Sequence, residues 1–109
     1  MNTDLSLRPG ESQVIQLAAG KFYVFGYRGK AGQKVTITAS ARSGESVDPL
    51  LVLLDSQAVP LVGDDDGGGN FDAAITDYTL PTDGVYGIVV GYAGGSTDGA
   101  VRVLLNVAQ

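Results

Sequence analysis

Residues 64 to 72 read DDDGGGNFD, the one stretch whose composition could do unusual chemistry. Asp64, Asp65, Asp66 and Asp72 set like charges closer together than the ~10 Å Debye length, so they repel unless water, a basic side chain or a cation compensates them. Gly67, Gly68 and Gly69 permit positive φ and let the backbone fold back, so that carboxylates, the Asn70 amide and carbonyl oxygens can converge. A hard, oxygen-seeking cation such as calcium fits that donor set. The candidate metal ligands are Asp64, Asp65, Asp66, Asn70 and Asp72 with backbone carbonyls; the competing reading is a solvated acidic turn that keeps a sheet edge soluble. An EF-hand is excluded, because Ile75 stands at the twelfth position from Asp64, where a bidentate Glu is needed.

The second candidate is aromatic. In a strand over Phe22 to Tyr27, alternation puts Phe22 and Val24 on one side and Tyr23, Phe25 and Tyr27 on the other. One set is core. An exposed strip bearing Tyr23 and Tyr27, joined by Tyr92 beside Gly94-Gly95, could stack on sugar rings or pack on a peptide; the competing reading buries both sets. Tyr86, following the Asp83-Gly84 turn, reads as a core residue anchoring that corner.

Catalysis is tested by inventory. The chain has no His and no Cys, which removes Ser-His-Asp and Cys-His arrangements, zinc thiolate sites and disulfides. A carboxylate pair for glycoside hydrolysis needs one acid in an apolar cleft, whereas the acids here cluster in turns. The expectation is a protein that is not an enzyme.

The elements that position these residues read as short strands. The chain has 109 residues, one domain over 1–109. Strand patterns occur at Gln13–Leu17, Phe22–Tyr27, Lys34–Ala41, Leu50–Asp55, Ala58–Val62, Ala74–Leu80, Val85–Tyr92 and Ala100–Val107, each bounded by Gly, Pro, Asp or Ser. The fold class is all-β, an antiparallel sandwich of about eight strands. Val35, Ile37, Ala39 and Ala41 form one inward stripe and Val101, Val103, Leu105 and Val107 another. Leu50 to Leu54 is apolar throughout, as in a strand covered on both faces, and its leucines read as core. Asp48 and Asp55 bracket it and read as turn caps. Self-association through an edge strand is a further structural reading.

Charge limits the partners. Net charge is −5, Asp outnumbers Glu ten to two, and six of the seven basic residues precede residue 43. Such a chain is a poor electrostatic match for phosphate backbones, so no nucleic-acid partner is expected. No run approaches the ~20 apolar residues of a membrane span, and an exported form needs a signal not found in residues 1–10.

Three separated motifs, DPLLVLL, DDDGGG and LPTDGVYGIVV, preceded by GKFYVFGYRGKAGQKVTITASA, resemble the bacterial pre-peptidase C-terminal domain family. The resemblance implies a small jelly-roll-like sandwich attached to secreted proteases and other exported bacterial enzymes. The family is similar to the collagen-binding domains of clostridial collagenases, which are calcium-stabilised. A non-catalytic, secreted or cell-surface accessory domain is therefore expected, with a peptidase or other secreted enzyme domain as partner and calcium as cofactor. The alternative is a module binding an extracellular polymer, polysaccharide or collagen-like protein, through the Tyr surface.

Overall fold

Period-2 alternation generates the elements found. The structure, a computed structural model, describes residues 5–17, 21–41, 47–64, 73–95 and 99–108, with the backbone alone for 47 and 92–95. The strands are β1 (Leu5–Ser6), β2 (Ser12–Leu17), β3 (Phe22–Gly29), β4 (Lys34–Ala41), β5 (Val47–Leu54), β6 (Pro60–Asp64), β7 (Ala73–Thr79), β8 (Gly84–Gly95) and β9 (Gly99–Ala108). They build a 5-stranded sheet in the order β1-β3-β8-β5-β6 and a 4-stranded sheet in the order β2-β9-β4-β7. The β1–β3 pairing is parallel and the others described are antiparallel.

The core lies between the sheets. Phe25 and Tyr27 on β3, Tyr86, Ile88 and Val90 on β8, and Leu51 and Leu53 on β5 face Val35, Ile37 and Ala39 on β4 and Val101, Val103 and Leu105 on β9. Each is buried because its neighbours at ±1 point to the opposite face. The expected stripes on β4 and β9 are thus the inner face of one sheet, with Ala41 and Val107 half-buried at its margins. Among the described residues no polar or charged residue is fully buried.

Several local expectations change. β1 was not foreseen: its two residues carry no periodicity and are strand only because they lie against Phe25 and Gly26. Asp48 is not in a turn but within β5, at the irregular pairing between Asp48 and Pro49 where β5 shifts register against β8. Leu50–Leu54 is not uniformly core: Leu51 and Leu53 are buried, whereas Leu50, Val52 and Leu54 are half-buried on the opposite face. Asp55 does cap its turn, its Oδ1 accepting the N–H groups of Gln57 and Val59 at 2.9 Å each. That turn carries Ala58 at φ 63°, which delays β6 to Pro60.

The β7–β8 corner is locked by Tyr86. Its ring is 1% exposed, and its hydroxyl donates to the Thr82 carbonyl and accepts the Thr82 N–H at 3.2 Å. This is the anchoring role read for it in sequence. Gly29, opposite Gly84, packs into the same corner: a Cβ there would collide with Leu80 Cδ1 and stand 3.0 Å from Tyr27 Cε2 and 3.3 Å from Tyr86 Cδ1. Leu80 is itself only 1% exposed, so its tip has little room to yield. Gly29→Ala is therefore expected to destabilise the domain by ~1–3 kcal/mol, the range for overpacking, read as a lower denaturant midpoint with an unchanged slope. An unchanged midpoint would show that the corner repacks freely.

Candidate functional site

Strand β6 ends at Asp64 on the side of the sandwich where β6 of one sheet lies beside β7 of the other. Asp64 is the last residue of β6, opposite Leu51. Its Oδ2 accepts the N–H of Ala74 on β7 at 2.9 Å, so the first aspartate of the run ties the two sheets together at the base of the loop. The remaining nominated ligands, Asp65, Asp66, Asn70 and Asp72, lie outside the described residues. Among the described residues no group of three or more acidic, His or Cys side chains converges. Asp64 therefore has a defined structural task.

Asp77 turns away from this corner. It is exposed on β7 at φ 51°, with its N–H donating to Thr36 Oγ1 at 3.1 Å. The pairing shift between Val35 and Ile37 shows that β7 carries an extra residue here. Such a bulge bends an edge strand away from further pairing.

The tyrosines are placed differently from an exposed strip. Tyr23, Phe25 and Tyr27 point inward, and Phe22 and Val24 point outward, Phe22 being 67% exposed. Tyr27 is buried in the core cluster, its hydroxyl donating to Gln33 Oε1 at 2.9 Å, and the same oxygen accepts the Lys30 N–H at 3.0 Å. The expectation of an exposed Tyr27 is corrected: the ring fills the space above Gly29 and has no open face for a ligand. Tyr23 is half-buried against the core and donates to the Gln16 carbonyl on β2 at 2.7 Å. Tyr92 pairs with Pro49 through the backbone of β8, and its side chain is outside the described residues. Sequence alternation sorted the two sets correctly but could not say which one the second sheet would cover.

What sequence reasoning missed is the outward set. Phe22 and Val24 on β3, Val85 and Val89 on β8, and Leu50 and Val52 on β5 share the outer face of the 5-stranded sheet. The signal was present in the unbroken apolar run Leu50 to Leu54 of β5, whose leucines read as core.

The arrangement is a two-sheet sandwich with crossing connections, and its likeness to known proteins is structural. No family model and no curated protein matches the sequence. Among solved structures, the chain is similar to the pre-peptidase C-terminal domain of a collagenase from Bacillus anthracis, with a TM-score of 0.74 and 13% identity over 97% of this chain and 98% of that one. It is also similar to PliG of Aeromonas hydrophila, a periplasmic inhibitor of g-type lysozyme, with a TM-score of 0.64 and 17% identity over 90% of this chain and 85% of that one. PliG of Salmonella Typhimurium gives a TM-score of 0.59 at 17% identity over 98% of this chain and 100% of that one. At these identities the likeness is one of fold. The fold is that of a pre-peptidase C-terminal domain, as the three sequence motifs implied.

Burial gives Tyr27 a titration that can be read in stability. It raises the pKa of the hydroxyl above its ordinary value of 10.0 by disfavouring the phenolate. A pKa raised on folding contributes stability that is complete below the unfolded value and is lost as pH rises through the folded one. Stability is therefore expected to fall above about pH 10, more steeply in the parent than in Tyr27→Phe. At neutral pH, Tyr27→Phe should itself lose ~1 kcal/mol with the bond to Gln33. Denaturant titrations at stepped alkaline pH check both, and equal slopes would mean that Tyr27 ionises as freely when folded as when unfolded.

Proposed function

We propose that this chain is a non-catalytic accessory domain of the pre-peptidase C-terminal kind, belonging to an exported bacterial enzyme or surface protein, and that its acidic loop holds calcium. The observation that carries the reading is the match of fold along 97% of the chain to such a domain, in a chain that has neither His nor Cys for nucleophilic catalysis. The periplasmic and collagenase-linked settings of the similar structures support a location outside the cytoplasm. A peptidase or other secreted enzyme domain is the partner this role requires.

Calcium would be held by Asp65, Asp66, Asn70 and Asp72 with loop carbonyls, and by Asp64 where its bond to Ala74 permits. Its contribution is to neutralise carboxylates that otherwise repel, closing the β6–β7 side of the sandwich. The polymer-binding alternative is weakened by Tyr27, whose ring is in the core. A second reading, a proteinaceous inhibitor of g-type lysozyme, is favoured by the fold match to both PliG proteins.

Two measurements test these readings. In thermal unfolding, excess calcium against a chelator at matched ionic strength should raise the midpoint by several degrees. A site of ~10⁻⁴ M affinity at hundredfold excess adds about 2.7 kcal/mol. The double substitution Asp65→Ala, Asp66→Ala should abolish the shift; no shift in the parent would make the loop a solvated turn. In a cell-wall clearing assay with g-type lysozyme, an equimolar amount of the chain should leave the rate unchanged. Stoichiometric inhibition would replace the accessory reading with the inhibitor one.

A further inference from the structure

Each sheet of the sandwich ends in two edge strands, β1 and β6 in one and β2 and β7 in the other. Three of these edges are blunted within their own strand. β1 is 2 residues long, β6 opens on Pro60, which has no N–H to offer, and β7 carries the bulge at Asp77. β2 has none of these devices. Its sequence, SQVIQL, holds no proline and no charge, and it pairs with β9 residue for residue without a shift. At its centre stands Val14, 52% exposed. A regular, uncharged edge of this kind recruits another strand unless something prevents it.

Hydrogen bonds show which backbone groups that edge offers. At the start of β2, Leu105 of β9 donates its N–H to the Glu11 carbonyl at 3.4 Å and accepts the Gly10 N–H at 2.7 Å. Glu11 thus faces β9 and, by the alternation of an antiparallel ladder, so do Gln13, Ile15 and Leu17. Ser12, Val14 and Gln16 turn their N–H and C=O groups to the open side. The Tyr23 hydroxyl agrees with this assignment: reaching across from β3 in the other sheet, it donates to the Gln16 carbonyl at 2.7 Å. The Gln13 amide returns the bond, donating to the Ser6 carbonyl on β1 at 2.7 Å, so each sheet caps an acceptor on the other's edge strand.

The open groups select one antiparallel register for a second copy. With a two-fold axis through Val14, perpendicular to the sheet, Val14 pairs with Val14 of the second copy and Ser12 pairs with Gln16 in both directions, so that every open N–H meets an open C=O. Side chains agree with a second copy as occupant. β2 carries no charge to repel its like, and the two valines meet on the outer face as a β-branched cross-strand pair. Both outer pairs need a Gln16 carbonyl, the atom that the Tyr23 hydroxyl holds. We propose that Tyr23 guards this edge: its hydroxyl withholds the Gln16 carbonyl, and without it β2 pairs with β2 of a second copy, joining two 4-stranded sheets into one. A residue read in sequence as a ligand contact is then a lock on a strand-pairing surface. The inference does not rest on the accessory-domain reading and holds for either function above.

Sedimentation equilibrium of the whole chain and of Tyr23→Phe, from about 10 μM to 1 mM, tests it. Tyr23→Phe keeps the ring and removes only the hydroxyl. The variant should dimerise at least ~10-fold more tightly than the parent, because an acceptor is freed in each copy. Amide hydrogen exchange in the variant should slow with rising concentration at Ser12, Val14 and Gln16, a change that loss of a lace alone would not cause. Adding Val14→Lys, at a position 52% exposed, sets like charges opposite one another across the axis and should return the variant to a monomer. Tyr23→Leu, which also lacks the hydroxyl, takes the place of Tyr23→Phe if that variant fails to fold. A variant as monomeric as the parent overturns the proposal, as does a dimer of equal strength in both or one indifferent to Val14→Lys. Growth beyond the dimer overturns it too, because two-fold pairing uses up the edge.

Discussion

Strand β8 is paired along both edges, to β3 from Phe22↔Gly91 through Gly29↔Gly84 and to β5 from Val47↔Gly95 through Leu54↔Gly87, and the sandwich takes its register from those two ladders. Because side chains alternate with period 2, a slip of one residue would turn Tyr86, Ile88 and Val90 out to solvent and Val85 and Val89 into the core. The Tyr86 hydroxyl holds the start of the strand against Thr82, so the register is set by a hydrogen bond at one end as well as by burial along its length. At that end Leu80, Tyr27 and Tyr86 crowd position 29, where only glycine fits without a neighbour shifting.

Both open sides of the sandwich are laced by hydrogen bonds from side chains to the opposite sheet. On one side the Tyr23 hydroxyl crosses to the Gln16 carbonyl, and the Gln13 amide crosses to the Ser6 carbonyl. On the other, Asp64 crosses to the Ala74 N–H. Two residues that look functional in sequence are thus also structural laces, which gives each a physical task before any ligand is considered. Asp64 is thereby tied to β7 where the acidic run begins.

The sandwich is asymmetric in chemistry as well as in strand number. The outer face of the 4-stranded sheet mixes Thr, Ser, Lys, Arg and Asn with Val14 and Leu104, whereas the 5-stranded sheet is apolar on both faces across its centre. Glycines keep that outer face low: Gly26, Gly87 and Gly91 remove side chains where neighbouring rows carry Val, Leu or Phe.

Most of the fold was legible without coordinates. Eight strands, the inward stripes of β4 and β9, the capping role of Asp55 and the anchoring role of Tyr86 follow from local pattern and turn chemistry, which neighbouring residues decide among themselves. The three motifs carried the likeness to pre-peptidase C-terminal domains, and the absence of His and Cys removed whole classes of catalysis. What local pattern could not decide was covering. Alternation in β3 divides Phe22 and Val24 from Tyr23, Phe25 and Tyr27, but both sets are apolar enough to be core. The choice belongs to the second sheet, which lies over one of them. The same holds for β1, a strand only because β3 passes beside it, and for Leu50, Val52 and Leu54, which face outward because Leu51 and Leu53 meet the opposing sheet. Periodicity along a chain states that two faces exist; which face is buried is a property of what packs against it, and that is set at long range.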